Sequence, residues 1–536
     1  MPLLWLCVAA VGAAVVWGAL RWGMRRFQDL TELTLLQAPV RDSAKLEHAI
    51  VMGGSWTGML AAAVLTRYFR RVTVIERDGL PVDPASSRKH RKGAPQSAQI
   101  HIIVDMGIAF VTALLPGFAQ RFAAAGGRVG DRGEAFGWHH RGRWRTRRAL
   151  GMPMWFASRP VIEWTVRSLV LETFPSITVI ERTRILGILG GPRGAIRGVR
   201  VTALGGHDAP AVDENEQELM ADLVLDCMGK ASRSATWLAE LGYGEAREER
   251  VDPAIQYASR FYARPPEAVR EQGDFGLILH APPDHPRGPH YAGALTVEDN
   301  QLVLWAVLLG RKAPKDDAEM IAFLRDLDAP EYHKLVSGPL AATPVAGDDL
   351  RVYGSGPMFR RHYHRLRRFP DNYAILGDAL CVTDPAFGLG LSLSANGLAA
   401  LNKTLLRRTR RGRLSLGGFG KEMMGRLAWR TFFPWMLTTG EDYRFDVTVG
   451  PYKRRLLVRL LQGYSDRLFG LALRDAYIDR EVMGVIGIVS QPLRVAHPRV
   501  LWHMLRDAWR GDHRQRLSPE VAARVDEPQQ PAAPSS

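Results

Sequence analysis

The stretch AIVMGGSWTGMLAAAVLTRYFRRVTVIERD, Ala49 to Asp78, constrains the fold more than any other. It reads as an apolar strand, a glycine turn, an alanine-rich helix, a second strand and an acid. That order is a βαβ unit of dinucleotide-binding type. Gly53 ends the first strand and permits the tight bend. Gly54 keeps the loop compact, and Gly58 lets the helix pack closely on the strand. The helix N-terminus offers free N–H groups to phosphates. Ser55 stands where the fingerprint asks for a second glycine. It is the smallest polar replacement, so the site is weakened as a pattern but retained. Glu76 closes the second strand about 20 residues on, where an acid holds a ribose hydroxyl. A carboxylate there repels a 2′-phosphate, which favours FAD or NAD over NADP.

The chain has 536 residues, enough for two joined domains with a large core. Hydrophobic residues are 46% and charged residues 24%, the balance of a globular protein. Cys7, Cys227 and Cys381 form no CxxC pair and no disulfide framework. No metal site is expected. The net charge of +16 is mostly arginine, clustered at Arg141 to Arg148, Arg360 to Arg368, Arg407 to Arg413 and Lys453 to Arg459. No recognised nucleic-acid module accompanies it, so no nucleic-acid partner is expected. Solvated helix faces and attraction to anionic lipid both remain open.

Leu3 to Leu20 carries no charge, and Arg21, Arg25 and Arg26 follow. Eighteen residues just span a bilayer. The arginines come after the apolar run, unlike a secretory signal. The positive-inside rule then predicts a single-pass anchor in 1–26, with the body of the chain cytoplasmic. A misassigned start and an interfacial helix are the alternatives.

A helical linker is expected over 27–46 and a first nucleotide-domain part over 47–180. A mainly sheet-built substrate domain follows over 181–370, with 222–233 returning to the first domain. The nucleotide domain resumes over 371–405. A helical region over 406–525 and a disordered tail over 526–536 complete the chain. Within this plan Gln99 to Phe122 reads as helices and Arg141 to Ser158 as irregular. Ile177 to Ile180 and Gly198 to Thr202 read as strands of one small meander.

NYAILGDALCVTDPAFGLGLSLSANGLAAL, Asn372 to Leu401, supplies a second candidate site. A buried strand ends at Gly377-Asp378, a proline–glycine loop follows, and then a helix. An acid at a strand end accepts hydrogen bonds from sugar-like hydroxyls. Gly388 and Gly390 let backbone N–H groups approach a ring or phosphate.

The glycine turn with Glu76-Arg77, the run DLVLDCMGKASR (Asp222 to Arg233), and GDA with DPxxGxG near residue 380 together resemble the FAD-dependent monooxygenases of the para-hydroxybenzoate hydroxylase fold. RKGAPQSAQIH, SRPVIEWTVR, PWMLTTGEDYRF and DAYIDREV resemble flavin epoxidases that act on polyenes, and the apolar start is similar to that of squalene epoxidase. The resemblance implies an α/β fold in which a Rossmann-type FAD domain is interleaved with a mixed-sheet domain. It implies that Glu76 binds the adenosine ribose, with Arg77 near the adenine. Arg159 and Asp378 would contact the ribityl or pyrophosphate part, and Pro385 to Leu391 would line the isoalloxazine. Arg91 is a further flavin-loop contact. Ser55, and Lys230 where an arginine is common, depart from the pattern.

The implied chemistry is oxygen transfer from a flavin C4a-hydroperoxide to a lipophilic alkene or arene, as epoxidation or hydroxylation. NADH or NADPH would be the reductant, with O2 and membrane lipid as further partners and a separate flavin or electron-donor reductase as another. No catalytic residue is assigned. His101 is read as structural before it is read as a proton carrier. An FAD-dependent prenyl-chain reductase and a non-catalytic, membrane-tethered flavoprotein are the competing readings.

Overall fold

The computed structural model describes residue 23 and residues 27–81, 99–140, 142–191, 194–204, 216–268, 276–281, 290–327, 329–338, 341–409, 412–453 and 455–510. Nearly all of the expected anchor, Arg91 and the tail lie outside these residues.

A five-stranded parallel sheet forms the centre. Its strands are β1 (Leu46–Met52), β2 (Phe69–Ile75), β3 (Ile177–Ile180), β4 (Leu223–Asp226) and β5 (Tyr373–Ile375). Their order is β5-β4-β1-β2-β3. Strands buried on both faces read as continuous apolar runs, which is why Ala49 to Met52 and Leu223 to Leu225 are recognisable. Helix α1 (Trp56–Leu65) connects β1 to β2 and is buried almost throughout. Register brings Met52 level with both Ile75 and Asp226, and Asp226 level with Ile375. The segments that follow β1, β2, β4 and β5 therefore emerge at one carboxyl edge, where open α/β sheets bind ligands.

A larger sheet is built on two long antiparallel strands, Ile255–Ala263 and Gln301–Leu309. Its side chains alternate with period two. Ala258, Tyr262, Leu304 and Ala306 pack on the helices Asp317–Asp326 and Pro330–Val336. Tyr257, Trp305 and Val307 form the opposite wall, with Phe445 and Ala386 against it.

Several expectations change. Ile177–Ile180 is the edge strand of the parallel sheet, paired with β2. The meander consists of Thr183–Gly190, Ile196–Ala203 and Glu216–Met220. A four-residue run carries too little pattern to choose between those sheets. Phe136–His140 and Arg143–Trp144 join the larger sheet, although they lie within 47–180. The region 141–158 also contains the strand Pro153–Phe156, and Ile102–Val104 pairs with it ahead of the expected helices. The segment after Phe27 has only short helical turns and is no free linker. Gln28, Glu32 and Leu36 are buried, and Glu32 accepts from the Arg430 guanidinium at 2.5 Å.

Helices α2 (Arg159–Thr173) and α3 (Gly390–Thr409) flank the parallel sheet. The C-terminal region consists of α4 (Phe419–Asp442), α5 (Leu456–Ala472), α6 (Ala476–Ile486) and α7 (Pro498–Arg510). Among the described residues no single helix is long and apolar enough to cross a membrane.

Candidate functional site

The first glycine loop is fixed by its own backbone. Gly53 has φ +100°, and a Cβ there would sit 2.7 Å from the Cys227 carbonyl oxygen. A Cβ at Gly58 would sit 1.8 Å from the Gly53 carbonyl oxygen. Both positions require glycine. Ser55 has φ −82° and ψ −167°, extended backbone open to any residue, and it is the N-cap residue of α1. The departure from the fingerprint thus carries no backbone strain. Gly54 donates its N–H to Glu76 Oε2 at 2.7 Å, and Asp78 N–H donates to Oε1 at 3.1 Å. Glu76 is buried at the end of β2, oriented by the loop it faces. Arg77 is exposed, with its guanidinium 3.6 Å from Asp78.

The second loop meets the first directly. Gly377 has φ +61°, and a Cβ there would lie 3.0 Å from Thr57 Oγ1. Thr57 Oγ1 in turn donates to Ser394 Oγ of α3 at 3.0 Å. Residues 337 positions apart thereby join the N-terminal ends of α1 and α3. Asp378 is accessible to water, with protein packed around it. Burial pushes its carboxyl up, and the charges of Arg159 and Lys230 pull it back down. Arg159 is buried in the first turn of α2, with Nε donating to Glu163 Oε1 at 2.8 Å. Lys230 donates to the Ser355 carbonyl.

Pro385 is exposed, and Gly388 has φ +64° against Ile102. Gly390 begins α3, and a Cβ built on it meets open space. Leu391 is buried behind it. His101 Nδ1 lies 2.8 Å from the Gln99 carbonyl, which can only accept, so Nδ1 carries the proton. Burial and the charge of Arg159 push the ring's pKa down to about 3, so His101 is neutral near pH 7.

Sequence reasoning missed a buried carboxyl pair beneath the second loop. Asp384 Oδ1 accepts from Ala386 N–H at 2.9 Å and from the Tyr257 hydroxyl at 3.1 Å. It therefore ties the loop to the wall of the larger sheet. Asp442, at the end of α4, is hydrogen-bonded to Asp384. Burial and the Asp384 charge push the Asp442 carboxyl well up, which favours Asp442 as the protonated, donating member of the pair. Both acids stand inside the quoted motifs DP and GEDYRF, but nothing local marks them as partners. Asp226, the last residue of β4, is also structural. It accepts from the hydroxyls of Ser232 and Ser234 and from Met228 N–H, and so shapes the turn that closes over Gly53.

Two glycine-opened helix ends, an oriented acid and a solvent-accessible acid therefore share one carboxyl edge of the parallel sheet. The flavin-dependent brominase Bmp2 superposes with a TM-score of 0.56 at 14% identity, covering 87% of this chain and 100% of its own. The fold is that of the para-hydroxybenzoate hydroxylase-type flavoproteins. p-Nitrophenol 4-monooxygenase PnpA of Pseudomonas putida DLL-E4 superposes with a TM-score of 0.55 at 16% identity, over 83% of this chain and 100% of its own. Protein Rv3254 of Mycobacterium tuberculosis (strain ATCC 25618 / H37Rv) is 27% identical over 506 residues, 89% of this chain and 98% of its own. No family model matches the chain.

In this fold the crevice at the carboxyl edge fits an extended dinucleotide. Side chains are missing where a backbone must be approached, and carboxylates stand where hydroxyls would bind. Among the described residues no group of His, Cys, Asp and Glu is arranged to hold a metal ion.

Proposed function

We propose that the chain is an FAD-dependent monooxygenase that inserts one atom of O2 into a lipophilic small molecule. The observation that carries this reading is the meeting of both glycine loops at one crevice edge, facing the apolar wall of the larger sheet. Glu76 accepts from the adenosine ribose, with Arg77 beside the adenine. The Gly53–Gly58 turn and the α1 N-terminus receive the pyrophosphate. Ser55 adds a hydroxyl at the same turn. Asp378 accepts from ribityl hydroxyls, and Arg159 supplies positive charge nearby. Pro385 to Leu391, with Gly388 and Gly390 leaving room, lines the isoalloxazine. Bound FAD supplies, once reduced, the capacity to activate O2 and transfer one of its oxygen atoms.

The chain's own residues position the substrate and exclude water. Tyr257, Trp305 and Val307 present an apolar face toward the loop, which suits an alkene or arene. A hydride from NADH or NADPH, one further proton from solvent and one O2 yield the oxygenated product and water. Epoxidation or hydroxylation of a polyketide or terpenoid chain accords with that apolar wall. The run Leu3 to Leu20 anchors the protein to a membrane, with its catalytic body on the cytoplasmic side.

The test is anaerobic reduction of the purified flavoprotein by NADH or NADPH, then mixing with isotopically labelled O2 and a polyene. Label in the product supports the reading. A product saturated without O2 identifies a reductase instead. Reoxidation with no change to any of a panel of polyenes and arenes contradicts the lipophilic-substrate reading.

A further inference from the structure

Helix α7 is amphipathic in the opposite sense to a surface helix of a soluble domain. Such a helix turns its apolar stripe inward. Here the inward face is held by Val500, which is buried, by Met504, which is half-buried against the same cluster, and by polar ties. His503 Nδ1 pairs with Asp475 Oδ2 at 2.7 Å, and Asp507 pairs with Arg474. The apolar stripe faces outward. Pro498, Trp502, Leu505 and Trp509 recur at helical spacing, with Trp502 and Leu505 each 64% exposed and Trp509 90% exposed. Helix α5 packs against α7 through its second half, and its first turn exposes Leu456 and Leu457, 71% and 66%.

Charge decides what covers this face. Arg499, Arg506 and Arg510 lie along one flank of the α7 stripe, and Arg455 and Arg459 stand beside the α5 leucines; all are exposed. The one acid on α7, Asp507, is paired with Arg474, and Asp466 of α5 is paired with Arg444. Both segments are thus apolar on their exposed side, with a cationic rim that no acid among the described residues pairs. A second copy would bring the same cationic rim against this one. Anionic lipid complements both parts: tryptophan and leucine enter the headgroup boundary while arginine meets phosphate.

We propose that α7 and the start of α5 form an interfacial docking surface for anionic membrane. It rests neither on residues 1–26 nor on the flavin reading. A single bound helix of this kind is reversible by salt, because part of its attraction is screened.

The test uses the full chain with Cys7→Ser, since Cys227 and Cys381 are buried. An environment-sensitive fluorophore is placed by Leu505→Cys, and by Val129→Cys as a control at an exposed position outside α5 and α7. Vesicles of phosphatidylcholine with phosphatidylglycerol should blue-shift the label at 505, and brominated lipid should quench it. The label at 129 should not respond. Arg499→Glu, Arg506→Glu and Arg510→Glu together should weaken the response by roughly tenfold or more. A label at 505 that ignores vesicles overturns the proposal. So does a blue shift that follows protein concentration without lipid, which assigns the face to a second copy. A label already blue in dilute, lipid-free protein assigns it to the chain's own covering and also overturns the proposal.

Discussion

The two glycine loops differ in what their glycines are for. At Gly53 and Gly58 an added Cβ strikes backbone carbonyl oxygens of the same fold. At Gly390 it meets open space, and Pro385 before it is exposed. The first pair is needed to build the βαβ unit. The second position leaves access to something outside the chain. A glycine motif in a sequence therefore carries two different physical demands, and only the surroundings separate them.

The largest expected effect breaks the first loop. Gly58→Ala forces a shift of the α1 N-terminus and should destabilise the protein by about 3 kcal/mol or more. A melting temperature equal to wild type would remove the steric account. Gly390→Ala should leave melting of the apo-protein unchanged or slightly raised, since alanine favours helix over glycine. It should still weaken FAD binding, measured by titration of the apo-protein. Equal losses of stability in the two variants would erase the distinction between the loops.

A smaller effect concerns the carboxyl pair beneath the second loop. Asp442 has its pKa raised in the folded state by burial and by Asp384. Its contribution is complete below the ordinary carboxylate pKa and is lost as pH rises through the raised value. Stability should fall as pH rises above the ordinary carboxylate range, and Asp442→Asn, which keeps a donor at every pH, should flatten that fall. Melting curves across pH measure it, and an unchanged slope would show that the pair is not shared as described. The smallest effect belongs to Ser55→Gly. Because Ser55 occupies extended backbone, FAD affinity should hold within about threefold, the scale of one weak hydrogen bond. A large drop would give Ser55 a specific contact role.

The same contrast explains what the sequence disclosed. The strands β1, β4 and β5 were legible because burial on both faces demands unbroken apolar runs. Glu76 was legible because it ends the second strand about 20 residues after the glycine turn, and Asp378 because it ends a strand beside Gly377. Asp384 and Asp442 were not, because 58 residues separate them and their link exists only after α4 packs under the loop. Phe136–His140 was hidden by its histidines and by the arginines that follow. The helical region expected over 406–525 includes α7, but a helical reading alone does not say which side of a helix packs.

The central claim is that Asp378 faces a bound flavin. It is tested most directly by the FAD content of wild-type and Asp378→Ala protein, read by absorbance after gel filtration. One FAD per wild-type chain is expected. So are an unaltered melting temperature for the apo-variant and loss of most of the flavin, the consequence of removing an acceptor worth roughly 1–3 kcal/mol. A colourless wild-type protein that FAD does not reconstitute, or an Asp378→Ala variant with full occupancy, would contradict it.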